Sequence, residues 1–200
     1  MTVIGITGPT GAGKTTALQQ LEKMGALIID CDTVYHSLLE QDMQLRSALE
    51  ARFGDLTGPH GGFDRKKLGT LVFGDPKALE DLNAIVRPHI ARAVERLLER
   101  GRKEGRAAAA VDGITIIESG LADRCDTTVA VLAPVEERVR RICQREGISR
   151  QYAEARVSAQ KQDEYFRANC EHILMNDCAR VQEFAQRAQT LFEQILNGIS

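Results

Sequence analysis

At 200 residues, with 43% apolar and 27% charged residues, the chain is long enough for one good-sized core with a smaller lobe beside it and has an ordinary globular composition. Its formal net charge of −2 argues against non-specific nucleic-acid binding as its task. There is no apolar run near the roughly eighteen residues a membrane span needs, and the opening MTVIGITG has no basic segment ahead of its apolar one, so a soluble, cytoplasmic chain with no membrane partner, secretory signal or transit peptide is expected.

Residues 2–7 (TVIGIT) read as a short β-branched strand, and 14–24 (KTTALQQLEKM) as a helix closed by Gly25. The next strand, 26–30 (ALIID), follows at once, and so short a βαβ unit implies a parallel pair with a right-handed crossover. From Asp32 to Phe53 the apolar positions Val34, Leu38, Leu45, Leu49 and Phe53 predict a helical segment, which the glycines and Pro59 of FGDLTGPHGGFDRKKLG break. Residues 64–104 predict further helices, started or interrupted near Pro76 and Pro88, and their run Arg96–Arg106 reads as a solvated helix end. The runs 107–117 and 127–133 are almost continuously apolar, as strands covered on both faces should be, and His172–Met175 makes a fifth strand. Residues 135–167 predict two helices meeting at EGIS with Ser149 as an N-cap, and 178–197 an amphipathic closing helix. The expected architecture is an α/β three-layer fold with a five-stranded parallel sheet. Its core would take about 1–31, 105–134 and 168–200, a helical substrate-binding insert 32–104, and a helical lid 135–167.

The chemistry begins between the first strand and helix. Gly8-Pro9-Thr10-Gly11-Ala12-Gly13-Lys14-Thr15 fits G-x-x-x-x-G-K-[ST], a phosphate-binding loop. Glycines let the backbone close around an anion, the N–H groups and the helix N-terminus face it, Lys14 supplies a mobile cation, and the Thr15 hydroxyl is placed to ligate Mg²⁺. ATP with Mg²⁺ is the expected donor. No N-K-x-D guanine signature follows, and a short chain with a helical insert and an arginine-rich segment at 138–160 reads instead as a small-molecule kinase with a closing lid. Asp30 and Asp32 stand at the end of the second strand, where a carboxylate can orient or deprotonate an acceptor hydroxyl, or can cap the strand and the next helix. Asp112 and Glu118, at and beyond the third strand, either support Mg²⁺ or the acceptor, or serve structure alone. The five cysteines show no C-x-x-C spacing, and His36, His60, His89 and His172 have no ligand spacing, so a zinc site is not expected.

Taken together, TGPTGAGKTT, the pair Asp30-Cys31-Asp32, FDRKKLGTLVFGDPKALEDLNAIVRPHI, IIESGL, CDTTVAVLAPVEERVRRICQREGIS, EARVSAQ and HILMND resemble, in order and over nearly the whole chain, the dephospho-coenzyme A kinases. The resemblance implies transfer of the ATP γ-phosphoryl to the ribose 3′-hydroxyl of dephospho-coenzyme A. It implies Asp32 as the base and Gly11, Ala12, Gly13, Lys14, Thr15 and Thr16 as the ATP loop begun at Gly8. The lid would run from about Arg141 to Gln160, with Arg138, Arg141, Arg145 and Arg156 as candidate phosphate clamps, and Asn176 would sit near the adenine. Where the family usually has histidine before proline this chain has Arg87-Pro88, with His89 next, and both fall in the acceptor segment. The alternatives left by the residues are a kinase of another small acceptor and a nucleotide-binding regulator without transfer. A monomer or weak homo-oligomer without nucleic-acid partners is expected.

Overall fold

A computed structural model of the protein describes residues 1–59 and 61–198; His60, expected to have no chemical role, lies outside them. The chain divides into two compact units, Met1–Ile29 with Arg100–Ser200, and Asp30–Glu99.

The first unit is built on strands β1 (Thr2–Thr7), β2 (Leu27–Asp30), β3 (Ala108–Asp112), β4 (Thr127–Leu132) and β5 (His172–Met175). They form one parallel sheet in the order β2-β3-β1-β4-β5. Ile4 lies opposite both Ala110 of β3 and Thr127 of β4, and Val131 opposite Leu174 of β5. Helix α1 (Lys14–Lys23) ends at Gly25 in a Schellman arrangement, with Ala26 N bonded to Leu21 O at 3.0 Å and Gly25 N to Glu22 O at 2.9 Å. It packs beside the closing helix, in chain order α9 (Val181–Gly198), whose Phe184, Ala188, Phe192 and Ile195 recur at helical spacing and join the core around Ile4, Leu21 and Val131. The opposite face of β4 is covered by Phe166 of α8 (Asp163–Asn169). Helices α6 (Val135–Glu146) and α7 (Arg150–Ser158) form a hairpin over Val139, Ile142, Ala153 and Val157, and Ser149 caps α7 through Tyr152 N as expected. Residues 135–167 therefore hold the start of a third helix that the two-helix reading does not contain.

The apolar run 107–117 is not one strand. β3 stops at Asp112, opposite Ile6, because β1 leaves the sheet one residue later and no ladder partner remains. The chain then turns through Gly113–Gly120, tied to β1 by Gly113 N to Ile6 O and by the Thr7 hydroxyl to Ile114 O, both at 3.1 Å. All five cysteines are free, and burial, helped by the charges of Asp126 and Glu171, pushes the Cys125 thiol up to about 12, so it is unreactive at neutral pH.

The second unit is helical. α2 (Cys31–Gln41) and α3 (Met43–Phe53) divide the segment expected to be continuous at Asp42, and α4 (Arg65–Val72) and most of α5 (Pro76–Lys103) follow. Pro76 starts α5, with the Asp75 carboxylate accepting from Lys77 N and Ala78 N. Pro88 does not interrupt it. The lost backbone bond is outweighed by the burial of Val86 and Ala93 on either side, which pack with Leu38, Leu45, Leu49, Leu56 and Leu68. No helix among the described residues is long and apolar enough to cross a membrane.

The break at Asp42 has a measurable signature. Its carboxylate accepts from Gln44 N and Leu45 N at 3.0 Å each and meets His89 Nδ1 at 2.7 Å. Desolvation acts to raise its pKa, but the backbone bond from Leu45, the His89 contact and the bond from Gln44 prevail and hold it below the usual carboxylate value. A carboxylate depressed in the folded state stabilises fully above its unfolded pKa and loses that contribution as pH falls through the folded value. Acid should therefore lower the melting temperature more steeply below about pH 4 in the parent protein than in Asp42→Asn, as thermal melts from pH 7 to 3 would show; parallel curves would remove Asp42 from that role.

Candidate active site

β1 ends buried at Thr7 and delivers the chain into the glycine loop, which wraps back to the N-terminus of α1. Gly8 has φ 134°, and a Cβ there would collide with the Val131 carbonyl oxygen of β4, so the loop can press directly onto the sheet only without a side chain. Gly13 has φ 109°, and its Cβ would run into the Asn176 amide. Both conditions fail for alanine. Gly13→Ala is expected to weaken nucleotide binding by about 10- to 100-fold, matching about 1–3 kcal/mol of strain, and to lower the melting temperature; titration calorimetry beside a thermal melt checks both.

The loop borders a cavity of about 300 Å³ lined by Thr10, Gly11, Gly13, Lys14 and Thr15 together with Arg141 and Arg145 from α6. Lys14 Nζ donates to Gly8 O at 3.1 Å, bridging the loop across its own mouth, and Thr15 is exposed. Other elements hold the loop, Asn176 from behind and Arg141 from the cavity edge. Asn176, immediately after β5 and 6% exposed, donates from Nδ2 to Ala12 O at 2.8 Å. Arg141 Nη1 reaches Gly11 O and Ala12 O at 3.3 Å each, and its Nη2 reaches Asn176 Oδ1 at 3.4 Å. The Ala12 carbonyl is turned onto Asn176, behind the loop, so the Gly13 N–H of the same trans peptide points the other way. Converging N–H groups, a lysine and a helix N-terminus around one concavity make a site for a polyphosphate.

A family model for dephospho-CoA kinase matches residues 2–182. The chain belongs to the dephospho-CoA kinase family. A dephospho-CoA kinase of Dehalococcoides mccartyi is 35% identical over 197 residues, 98% of either chain. A solved protein of Thermus thermophilus has a TM-score of 0.80 at 31% identity, covering 100% of this chain and 98% of that one. The dephospho-CoA kinase of Campylobacter jejuni, with a TM-score of 0.73 at 23% identity over 99% and 98% of the two chains, shares the fold.

Within this dephospho-CoA kinase fold the expected residues divide by location. Thr10, Gly11, Gly13, Lys14 and Thr15 of the loop line one cavity with Arg141 and Arg145, whereas Asn176 does not line it and instead holds Ala12 O from behind the loop. Arg138, expected as a phosphate clamp, is elsewhere: it is 1% exposed, with Nε on Thr10 O at 3.0 Å and Nη2 on Gln160 Oε1 at 2.7 Å. Burial pulls its pKa down while the Asp163 charge opposes that, and a guanidinium so held keeps its proton. Arg156 pairs with Glu146, which also takes Arg145 Nη2 at 2.6 Å. Asp112 is the last residue of β3. Glu118 lines a second cavity of about 350 Å³ that shares Pro9 and Ile114 with the first, and its Oε2 is buried there without a hydrogen-bond partner. Desolvation first, then the Glu118 charge and hydrogen bond, raise the Tyr165 pKa.

The remaining expected residues belong to the helical unit. Asp30 is the N-cap of α2, accepting from Asp32 N at 2.8 Å and Thr33 N at 3.2 Å, so the capping duty falls on Asp30 and not on Asp32. Asp32 is exposed in the first helical turn, and Arg87 is exposed on α5. His89 is half-buried on Asp42. Sequence reasoning missed Gln160 and Thr10 as partners. The only pointer was the segment EARVSAQ, in which nothing marks the glutamine over its neighbours.

Proposed function

We propose that the protein transfers the γ-phosphoryl of ATP to the ribose 3′-hydroxyl of dephospho-coenzyme A, giving coenzyme A and ADP. The observation that carries this is the phosphate loop with Lys14 and Arg141 around one cavity, in a chain matched by the dephospho-CoA kinase family model from residue 2 to 182. Transfer to another acceptor, or nucleotide binding without transfer, is not favoured.

The N–H groups of Gly11, Gly13, Lys14 and Thr15 bind the β- and γ-phosphates and hold the reacting phosphorus still, while Lys14 Nζ follows the charge that develops between them. Arg141, at the cavity edge, neutralises charge on the transferring group. The exposed Thr15 hydroxyl beside the loop fits a Mg²⁺ held mainly by the phosphates themselves, as does the lack of any three-residue carboxylate or histidine cluster among the described residues; bound there, the ion would withdraw charge from the β,γ-bridge. Asp32 accepts the proton of the 3′-hydroxyl as its oxygen bonds to phosphorus and the bond to the ADP oxygen breaks. Asn176 contributes by seating the loop beside the nucleotide, Glu118 and Arg87 by contacting the acceptor, and Asp30, His89, Asp112 and Arg156 by holding the elements that carry them. The chain works on soluble substrates in the cytoplasm as a monomer or weak homo-oligomer.

The test is ADP release from Mg·ATP with and without dephospho-coenzyme A, with the acceptor product identified by mass. Stimulated ADP release with matching coenzyme A is expected. ATP binding without stimulation or product would overturn the reading.

A further inference from the structure

A phosphate loop binds only when its peptides are turned with N–H inward, and each such peptide must find an outward partner for its carbonyl. Thr10 is held at its N–H, its hydroxyl and its carbonyl. Its N–H donates to Gln160 Oε1 at 3.1 Å, its hydroxyl accepts from Gln160 Nε2 at 2.8 Å, and its carbonyl accepts from Arg138 Nε at 3.0 Å. Arg138 Nη2 donates to the same Gln160 Oε1 at 2.7 Å and closes the triangle. The orientation of the glutamine amide is determined, because both groups at its oxygen can only donate. Gln160 lies just beyond α7, 150 residues along the chain from Thr10. Arg138 is buried on two neutral acceptors, an arrangement that tolerates the loss of neither.

We propose that Gln160 is a positioning residue for nucleotide binding: its side-chain amide ties the α6–α7 hairpin to Thr10 and, with Arg138, sets the phosphate loop in its binding conformation. The inference rests on the ATP-binding role proposed for the loop. Without the amide the Thr10 N–H and hydroxyl lose their partner and Arg138 loses the acceptor that fixes its guanidinium, so the Thr10 carbonyl that Arg138 Nε holds is released to turn toward the phosphates. Only a fraction of molecules then presents a competent loop, and the apparent dissociation constant rises by the inverse of that fraction.

The test compares the parent protein with Gln160→Leu, Gln160→Glu and Thr10→Val, measuring ATP affinity by titration calorimetry, kcat against KM for ATP, and the melting temperature without ligand. Gln160→Leu is expected to weaken ATP binding about tenfold and to raise KM by more than it lowers kcat. Gln160→Glu keeps an acceptor for Arg138 and the Thr10 N–H and lets the Thr10 hydroxyl donate, so it should recover most of that affinity. Thr10→Val should cost less affinity when added to Gln160→Leu than when made alone. ATP affinity of Gln160→Leu within twofold of the parent overturns the inference, as does a lowered melting temperature with unchanged affinity, which marks a brace and nothing more. If Gln160→Leu does not fold, Thr10→Val and Gln160→Glu decide: the inference stands on a weakened ATP affinity in the first that exceeds that of the second, and falls on the reverse. A parent protein that fails to bind ATP removes the reading of the loop and this inference with it, whereas a parent that binds as well as Gln160→Leu removes the inference alone.

Discussion

Asp32→Asn is expected to lower kcat by about 10²- to 10⁴-fold while ATP affinity stays within about twofold of the parent. The substitution keeps the size and polarity of the side chain and removes its negative charge and with it the capacity to take a proton. It should spare the fold, because the cap of α2 is the carboxylate of Asp30 and Asp32 N merely donates to it at 2.8 Å. The favourable contact of a negative charge with the first helical turn amounts to about 0.3–1 kcal/mol, far less than the catalytic loss, so stability and turnover separate cleanly. Steady-state rates with both substrates saturating, beside ATP titration, measure the two effects. Turnover within tenfold of the parent would take the base role away from Asp32.

Lys14→Ala should lower kcat/KM by about 10²- to 10³-fold and, unlike Asp32→Asn, weaken ATP binding as well. Two losses combine. The cation that meets the β- and γ-phosphates disappears from a cavity of about 300 Å³, where charge is poorly screened, and the bond from Nζ to Gly8 O that spans the loop mouth is lost. Lys14→Arg should not restore the rate, because a planar guanidinium is larger than an ammonium and presents its donors in a fixed fork. Parallel kinetics and binding on the two variants test this, and a kcat/KM for Lys14→Ala within tenfold of the parent would exclude phosphate contact by Lys14.

The two variants fall in different units. Lys14 belongs to a concavity built entirely by Met1–Ile29 and Arg100–Ser200, whose lining residues come from the glycine loop, the turn after β3 and α6. Asp32 belongs to Asp30–Glu99, whose leucine-rich core around Leu39, Leu45 and Leu49 is closed on itself.

What the amino-acid sequence determined by itself is whatever depends on neighbours along the chain. Glycine and lysine spacing between a β-branched run and a helix specifies a phosphate loop, Ser149 caps α7, and apolar runs specify strands buried on both faces, because each effect acts over a few residues. The run 107–117 shows the limit: its apolar residues continue past Asp112, and only the departure of β1 from the ladder ends the strand. Pro88 shows another, since a helix survives a proline when both flanks are buried elsewhere. The tertiary structure alone decided which arginine faces the cavity and which supports the loop from behind. Arg138 and Arg141 stand three residues apart on one helix and are alike in sequence, yet one is buried on Thr10 and Gln160 and the other lines the cavity. That difference is made by partners 128 and 22 residues away, and hydrogen bonds across such separations leave no periodicity in the chain that makes them.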